Sequence, residues 1–373
     1  MAKKERRNKT ANYFDYNLLF LVIFLLCFGL VMLYSSSSYL SSNLYGDSAF
    51  YLKRQLRNII IGFIPFTLFA LSDYRIWKKF AVFGFVGATG LCAILLIPGV
   101  AQDSHGSGRW LQVGPIQFQP SEVGKFAIIL FLAMLLERVA KKMNEFMSIV
   151  KVLVIVFPLI GCVAVTNLST AIILAGIAVC MIFVTSPKYN HFIFVGIMGI
   201  AFIVIYIAAA GYRATRVQAW LHPETAGDDG YQTLQGLYAI GSGKLFGKGL
   251  GNSLQKLGNV PESQNDMIFT IICEELGLFG AICVILLFVL ILWRMMIIAN
   301  NAPDLFGSLL VIGVMSHIAI QVILNIAVVT NSIPNTGVIL PFISYGGTSL
   351  AFLMGEVGMV LGVSKGIKLE SIE

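Results

Sequence analysis

Residues 259–277, NVPESQNDMIFTIICEELG, mark the point where a long polar loop gives way to an apolar segment that continues to Trp293. That segment is long enough to cross a bilayer, because a helical span needs about 20 apolar residues. The stretch also places Asp266 at the boundary, with Glu274 and Glu275 about two helical turns farther on. Carboxylates beside or within lipid are costly and usually face a cavity or a partner. We therefore expect both a membrane span and chemistry here.

The same apolar character recurs along the 373 residues, of which 57% are hydrophobic and 12% are charged. This composition excludes an ordinary soluble domain. It predicts an all-α polytopic membrane protein with about ten transmembrane helices and one large extracellular loop, 211–265, between spans seven and eight. The split of 152–187 into two spans depends on the polar pair Thr166-Asn167, since one long helix there would leave nine spans. The predicted spans are residues 18–34, 58–72, 80–102, 120–136, 152–166, 168–187, 189–210, 267–293, 305–332 and 341–364.

Basic residues orient the predicted spans, because cytoplasmic loops carry the excess of Lys and Arg. Five of the first ten residues are Lys or Arg, and with ten spans most of the 26 basic residues fall on the same side. We expect one integral-membrane domain over 1–373, with cytoplasmic tails at 1–16 and 365–373. Its active face would then lie outside the cytoplasmic membrane.

Two predicted outside loops, 98–119 and 211–265, carry nearly all the polar content. Loops longer than about 12–15 residues are usually functional or disordered. Within the second loop, residues 231–240 have apolar side chains at helical spacing and predict a short interfacial helix.

A glycine-rich run, GSGKLFGKGLG at 241–251, follows this helix. Glycines let backbone N–H groups approach a ligand, and Lys244 and Lys248 add positive charge, so a diphosphate could bind there. A flexible turn explains the same residues equally well. The run is not a P-loop, because its glycine spacing does not fit that motif.

Charged residues also open the predicted fourth span, PSEVGK at 120–125. Glu122 and Lys125 lie three residues apart and share a helix face. They form either a structural ion pair or part of a site. Arg109, in the preceding loop, is a candidate anion ligand or a solvated arginine. Asp266 itself is a candidate catalytic base, although an Asp just before a helix is also a natural N-cap.

Polar residues inside the last two spans have two explanations as well. His317, Gln321 and Asn325 form a stripe at four-residue spacing, which indicates interhelical hydrogen bonds or the wall of a groove. Glu356 is a further intramembrane acid with no obvious partner. The six cysteines show no metal-ligand spacing, and no metal site is predicted from them.

Several motifs together resemble the SEDS family (shape, elongation, division and sporulation) of integral-membrane peptidoglycan glycosyltransferases, and the match runs over nearly the whole chain. The GLGNS run and the P-N-T-G motif resemble the FtsW and sporulation branch more than RodA. The motifs are GRWLQVGPIQFQPSEVGK (108–125), GYQTLQGLYAIGSG (230–243), GKGLGNS (247–253), VPESQNDMIFTIICEELG (260–277) and NIAVVTNSIPNTGVILPFISYGGTSL (325–350).

The resemblance implies polymerisation of lipid II into β-1,4 glycan strands at the outer face of a bacterial cell membrane, for septal wall synthesis in division or sporulation. The essential aspartate of the family falls on Asp266, which becomes the expected general base. The resemblance implies no definite cofactor and leaves a divalent cation, Mg²⁺ or Mn²⁺, open. The implied partner is a class B penicillin-binding protein. The implied substrate-binding residues are Arg109, Glu122, Lys125, Gln232, Lys244, Lys248, Glu262, Ser344 and Tyr345.

The chain departs from the family pattern at Gln264 and Asn265, where a His and a Thr are common, and at Lys244, where a glycine is usual. Asn167 stands where an Asp is common. Two other functions stay open: a lipid II flippase or other lipid transporter, and a non-catalytic division scaffold. The concentration of polar motifs on one face disfavours the transporter, because transporters place their sites near the bilayer midplane.

Overall fold

The apolar runs form long helices that pack side by side in a computed structural model, which describes residues 11–100, 102–104, 107–113, 116–193, 196–197, 199 and 217–369. Seven helical segments within these residues are long and apolar enough to cross a membrane. The chain is therefore a mostly helical polytopic membrane protein, as predicted. The helices are α1 (Tyr16–Tyr45), α2 (Phe50–Leu71), α3 (Tyr74–Trp77), α4 (Ala81–Ile94), α5 (Pro120–Val139), α6 (Phe146–Thr166), α7 (Leu168–Thr185), α8 (Asp228–Ser242), α9 (Ile268–Asn300), α10 (Leu305–Val329) and α11 (Gly347–Lys365).

Side-chain caps start several of these helices. Asp15 accepts a hydrogen bond from the Leu18 amide at 2.8 Å at the start of α1, and Asp304 caps α10 in the same way. Asn167 caps α7 through the Thr170 amide at 3.2 Å. Such caps satisfy N–H groups that have no partner within the helix. The cap at Asn167 separates α6 from α7 at the break that the sequence predicts.

Helices α5, α10 and α11 occupy the centre of the bundle, where most of their side chains are buried. Helix α11 packs closely on α2 through glycines. A Cβ atom at Gly358 would lie 2.4 Å from the Phe66 carbonyl oxygen, and one at Gly362 would lie 2.7 Å from that of Phe69. The G-x-x-x-G spacing therefore allows the two backbones to approach directly.

The two chain ends meet on one side of the bundle. Strand β1 (Ala11–Asn12) pairs antiparallel with β5 (Lys368–Leu369). Next to this pair, the Arg294 guanidinium contacts the buried Asp15 carboxylate at 2.5 Å. The predicted count of ten stays a prediction, because most of the seventh span, 189–210, lies outside the described residues.

The structure can be compared with the two predicted outside loops and with the predicted start of the last span. The short helix predicted at 231–240 is confirmed as part of α8, and its interfacial position stays a prediction. The loop 98–119 contains three short strands, β2 (Gln102–Ser104), β3 (Ser107–Val113) and β4 (Ile116–Phe118), which form an antiparallel sheet. The last span was predicted to begin at residue 341, but its helix begins at Gly347. Residues 341–346 instead make a largely buried turn against the segment that contains Asp266.

Candidate active site

A cavity of about 640 Å³ lies at the end of the bundle where α5 and α7 begin and α10 ends. Most of its lining residues are polar, and they include side chains from α2, the β3 strand, α8 and the loops that flank α9 and α11. A polar cavity beside membrane-spanning helices suits a substrate with a charged or sugar headgroup. Among its lining residues are Tyr51, Arg109, Glu122, Lys125, Asn167, Trp220, Gln232, Glu262, Gln264, Asn265, Asp266, Gln321, Asn335 and Tyr345.

Asp266 lies in the cavity wall, two residues before α9 begins. Its side chain is only 8% exposed, and its Oδ1 atom has no hydrogen-bond partner among the described residues. Burial and, to a lesser extent, the negative charge of Glu262 together raise the pKa of this carboxyl group to about 7. Burial and a nearby like charge both disfavour the ionised form. The group can therefore exchange a proton near neutral pH.

Three successive backbone carbonyls hold the Asp266 segment in place. The Gln264 carbonyl accepts from the Tyr345 amide at 2.9 Å. The Asn265 carbonyl accepts from the Ser344 hydroxyl at 2.7 Å, and the Asp266 carbonyl accepts from Asn325 Nδ2 at 2.8 Å. The turn at 341–346 and helix α10 thus fix the backbone from which the Asp266 side chain extends.

The turn is itself fixed by α2. The Gln55 amide donates to the Ser344 carbonyl at 3.2 Å, and its oxygen accepts from the Gly346 amide. The Ser344 hydroxyl also accepts from the Leu340 amide at 2.8 Å. The carbonyl and hydroxyl groups of Ser344 are therefore both hydrogen-bonded within the protein.

Glu122 and Lys125 form a buried ion pair on the first turns of α5, with Lys125 Nζ 2.9 Å from Glu122 Oε1. Pro120 occupies the first position of this helix, where its missing N–H costs nothing. Glu122 Oε2 has no partner within the described residues. The pair faces the same cavity as Asp266, so it brings a cation and a free acceptor oxygen to the site.

The structure brings most of the predicted site residues together. The cavity is lined by Asp266 and by six of the residues expected to bind substrate: Arg109, Glu122, Lys125, Gln232, Glu262 and Tyr345. Ser344 lies directly behind this wall. Lys244 and Lys248 are not in the lining, which separates them from the other candidates.

The glycine-rich run has a structural role. Helix α9 breaks at Gly277, whose φ of 68° is left-handed, and the loop pairs with the break. The amides of Lys248 and Gly249 donate to the carbonyls of Glu274 and Glu275 at 3.0 and 2.9 Å. In return, the amides of Leu278 and Phe279 donate to the carbonyls of Lys244 and Leu245. The loop thus satisfies backbone groups that the break would leave unpaired.

The two glutamates of α9 are paired with the same loop, which we call the glycine loop (residues 243–257). Lys248 Nζ lies 2.6 Å from Glu274 Oε1, and Lys256 Nζ lies 2.7 Å from Glu275 Oε1. Ser35 of α1 donates to Glu275 at 2.7 Å. These contacts explain the acids within the span, and they leave Lys248 bound to a protein carboxylate.

The polar stripe of α10 divides into three roles. Asn325 clamps the Asp266 carbonyl and, at 2.7 Å, the Val338 carbonyl, while Gln321 lines the cavity and donates to Ile339. His317 Nδ1 lies 2.7 Å from Glu356 Oε2, which gives Glu356 the partner that the sequence did not reveal. The two residues lie on different helices, and that contact is not visible in either local pattern.

Two further cavity residues, Asn335 and Tyr51, were not predicted from the sequence. Asn335 donates to Gln232 at 2.9 Å, which joins the P-N-T-G motif to α8 across the cavity. Tyr51 contributes an aromatic side chain from α2. The P-N-T-G motif was a usable signal for Asn335, whereas nothing in the local sequence of α2 marks Tyr51. No cluster of three or more His, Cys, Asp or Glu side chains suited to a metal occurs in the described parts of the chain.

Nearly the whole chain is similar to known proteins. Residues 16–368 match a family model for FtsW, RodA and SpoVE, described as a cell cycle protein. Stage V sporulation protein E of Bacillus subtilis is 42% identical over 94% of this chain and 97% of that protein. The probable peptidoglycan glycosyltransferase FtsW of the same organism is 37% identical over 96% of this chain and 93% of that protein.

Solved structures show the same fold. A chain from a study of polymerization and crosslinking by a peptidoglycan synthase complex has a TM-score of 0.77 at 25% identity, covering 94% of this chain and 97% of its own. RodA of Thermus thermophilus has a TM-score of 0.69 at 24% identity, covering 96% of this chain and 98% of its own. The family predicted from the sequence motifs is confirmed.

Proposed function

The chain belongs to the FtsW, RodA and SpoVE family of cell cycle proteins, and on that premise we propose that it is a peptidoglycan glycosyltransferase that polymerises lipid II. The observation that carries the proposal is the buried Asp266 carboxylate, which faces a polar cavity with one oxygen unpartnered and has a pKa of about 7. A general base works best when its pKa lies near the working pH.

The reaction joins the growing strand to an incoming lipid II. The C4 hydroxyl of the acceptor sugar attacks the anomeric carbon of the strand, forming the β-1,4 bond as the bond to undecaprenyl diphosphate breaks. A β-linked product from an α-linked donor requires inversion, and Asp266 takes the proton of the attacking hydroxyl. The diphosphate is a good leaving group and needs no general acid, in contrast to the sugar leaving group of a glycosidase.

The cations in the cavity would stabilise the leaving group, whereas Asp266 would accept the proton. Negative charge develops on the departing diphosphate, and positioned cations stabilise such charge. Arg109 and Lys125 line the cavity and are our candidates for this contact. Lys244 and Lys248 lie outside the lining, so the proposal does not use them.

Polar side chains around the base would hold the sugars. Glu122, Gln232, Glu262 and Tyr345 line the same cavity and offer acceptors, an amide and a phenol to hydroxyl groups. Ser344 acts from behind the wall by fixing the Asn265 carbonyl. The proposal leaves open whether a divalent cation, Mg²⁺ or Mn²⁺, also binds the diphosphate.

Lipid II is presented outside the cytoplasmic membrane, so we place the cavity on that face and both chain ends in the cytoplasm. We also propose a class B penicillin-binding protein as partner. The solved structure from a peptidoglycan synthase complex that couples polymerization and crosslinking supports such a partner.

The test is polymerisation of lipid II by purified Asp266→Asn protein. We expect the variant to fold and insert normally but to lose about 10²- to 10⁴-fold in rate, the usual contribution of a general base. Asp47→Asn is the matched control, because the exposed Asp47 carboxylate lies outside the cavity lining, where it pairs with Lys53 and accepts from the Ala49 amide. Glycan chains would be measured on gels. Wild-type rates from Asp266→Asn would reject Asp266 as the base.

A further inference from the structure

The glycine loop has large apolar side chains that are exposed among the described residues of the protein. Phe246 is 80% exposed, Leu245 61% and Leu254 60%, and Leu250 and Leu257 are also exposed. Soluble surfaces rarely carry so many neighbouring large apolar side chains, and such patches mark contact with another protein or with a membrane.

The position of the loop along α9 indicates whether this apolar patch contacts another protein or the membrane. Arg294 and the exposed Trp293 mark the far membrane boundary, where aromatic and basic side chains concentrate. At about 1.5 Å per residue, Gly277 lies about 26 Å along the helix from Arg294. The hydrocarbon core of a bilayer is about 30 Å thick. The break at Gly277 therefore lies just within the apolar core of the leaflet on the cavity side.

The loop reaches this depth because its backbone enters the break. The Leu278 amide donates to the Lys244 carbonyl at 2.9 Å, and the Phe279 amide donates to the Leu245 carbonyl at 3.1 Å. Leu278 and Phe279 are themselves exposed on the lipid-facing side of α9. The apolar surface of the loop thus continues the surface that α9 presents to lipid.

The glycines make this close contact possible. A Cβ at Gly247 would lie 2.1 Å from the Glu275 carbonyl oxygen, and one at Gly243 would lie 1.9 Å from that of Cys273. Any side chain at either position would push the loop away from the helix. The loop is therefore held at a fixed depth by the sequence itself.

The charges of the loop agree with this environment. Lys248 and Lys256 place their ammonium groups on Glu274 and Glu275 inside the protein, so neither charge faces lipid alone. Lys244 is exposed beside Leu245 and Phe246. A lysine stem can lie along apolar surface while its head reaches a lipid phosphate.

We infer that the glycine loop is a membrane anchor, whose exposed apolar side chains insert among the acyl chains of the leaflet on the cavity side. The anchor goes beyond the proposed catalytic function and does not depend on it. It would hold the mouth of the cavity at the level of the lipid headgroups, where a lipid-linked substrate presents its diphosphate.

The test uses nitroxide labels on the full-length protein in phosphatidylcholine nanodiscs. Labels are attached to Phe246→Cys and Leu250→Cys after the native cysteines are replaced. Ile282→Cys on the exposed face of α9 is the lipid reference, and Glu224→Cys in a charged, exposed loop is the water reference. Power saturation compares access to oxygen, which enters lipid, with access to a water-soluble nickel chelate.

We expect labels at 246 and 250 to match the Ile282 reference, with high oxygen access and low nickel access. Nickel access equal to that at position 224 would overturn the anchor, and so would low access to both reagents, which indicates burial against protein.

Should the cysteine replacements prevent folding, Phe246→Trp and Glu224→Trp in the native background give a second measurement. Bromine-labelled lipid chains should quench the added fluorescence only at position 246. Equal or absent quenching at the two positions would contradict the proposal.

Discussion

Asn325 holds two chain segments together behind the cavity wall, and its removal tests how Asp266 is positioned. Its side-chain amide donates to the carbonyls of Asp266 and Val338 and is fully buried. Asn325→Ala leaves both carbonyls without this donor, and each buried unsatisfied group costs about 1–3 kcal/mol. We expect a loss of about 2–3 kcal/mol in stability, with a fall in kcat that exceeds any change in KM.

Thermal unfolding in detergent and lipid II polymerisation would measure these two effects. Ile323→Ala is the matched control, since Ile323 lies on the same helix but is largely exposed to lipid. If Asn325→Ala retained wild-type stability and kcat, the clamp would have no role in placing Asp266.

At the residue scale, the sequence identified the acid but not its surroundings. Asp266 stands out because a carboxylate at the edge of an apolar run needs an explanation. Its hydrogen-bonded clamp comes from Asn325, 59 residues from Asp266, and from Ser344, 79 residues from Asn265. Such contacts depend on how helices pack, and no local spacing reveals them.

At the scale of single elements, the break in α9 at Gly277 has the clearest consequence for stability. A Cβ atom at Gly277 would lie 2.3 Å from the Gly247 nitrogen and 2.5 Å from the Leu245 oxygen, and φ there is positive. Both contacts are with backbone, which cannot move aside cheaply. Gly277→Ala should therefore destabilise the protein by about 3 kcal/mol or more, or prevent folding.

Gly84→Ala provides the comparison for this prediction. A Cβ at Gly84 would meet nothing within 4 Å, and Gly84 lies inside α4. Alanine there should be neutral or stabilise by roughly 0.5–1 kcal/mol. Equal unfolding temperatures for the two variants would show that the glycine loop does not enter the break.

At the element scale, hydrophobic length predicted the helices well, because each apolar run must satisfy its own backbone in lipid. It could not predict where α11 begins, since the apolar residues at 341–346 pack as a turn rather than as a helix. The glycine run was equally ambiguous. Glycines and lysines suit a phosphate cradle as well as a backbone contact with α9, and only the packed structure separates the two.

The pairing of β1 with β5 is a contact at the scale of the whole molecule, because it joins segments near the two ends of the sequence. No local pattern predicts this pairing, because its two strands stand at opposite ends of the sequence. The pKa of Asp266 is likewise a property of the whole molecule. It depends on burial beneath elements that are distant in the sequence, so composition and spacing could not predict it.

The pH dependence of polymerisation tests the central claim most directly, because the base must be ionised to accept a proton. With its pKa raised to about 7, chiefly by burial and also by Glu262, the wild-type rate should fall about tenfold per pH unit below about 7. Glu262→Gln removes the neighbouring charge and should move this acid limb to lower pH, while Asp47→Asn should leave it in place. An acid limb near pH 4 in the wild-type protein would contradict the assignment of Asp266, whereas a limb that Glu262→Gln does not move would show that burial alone raises its pKa.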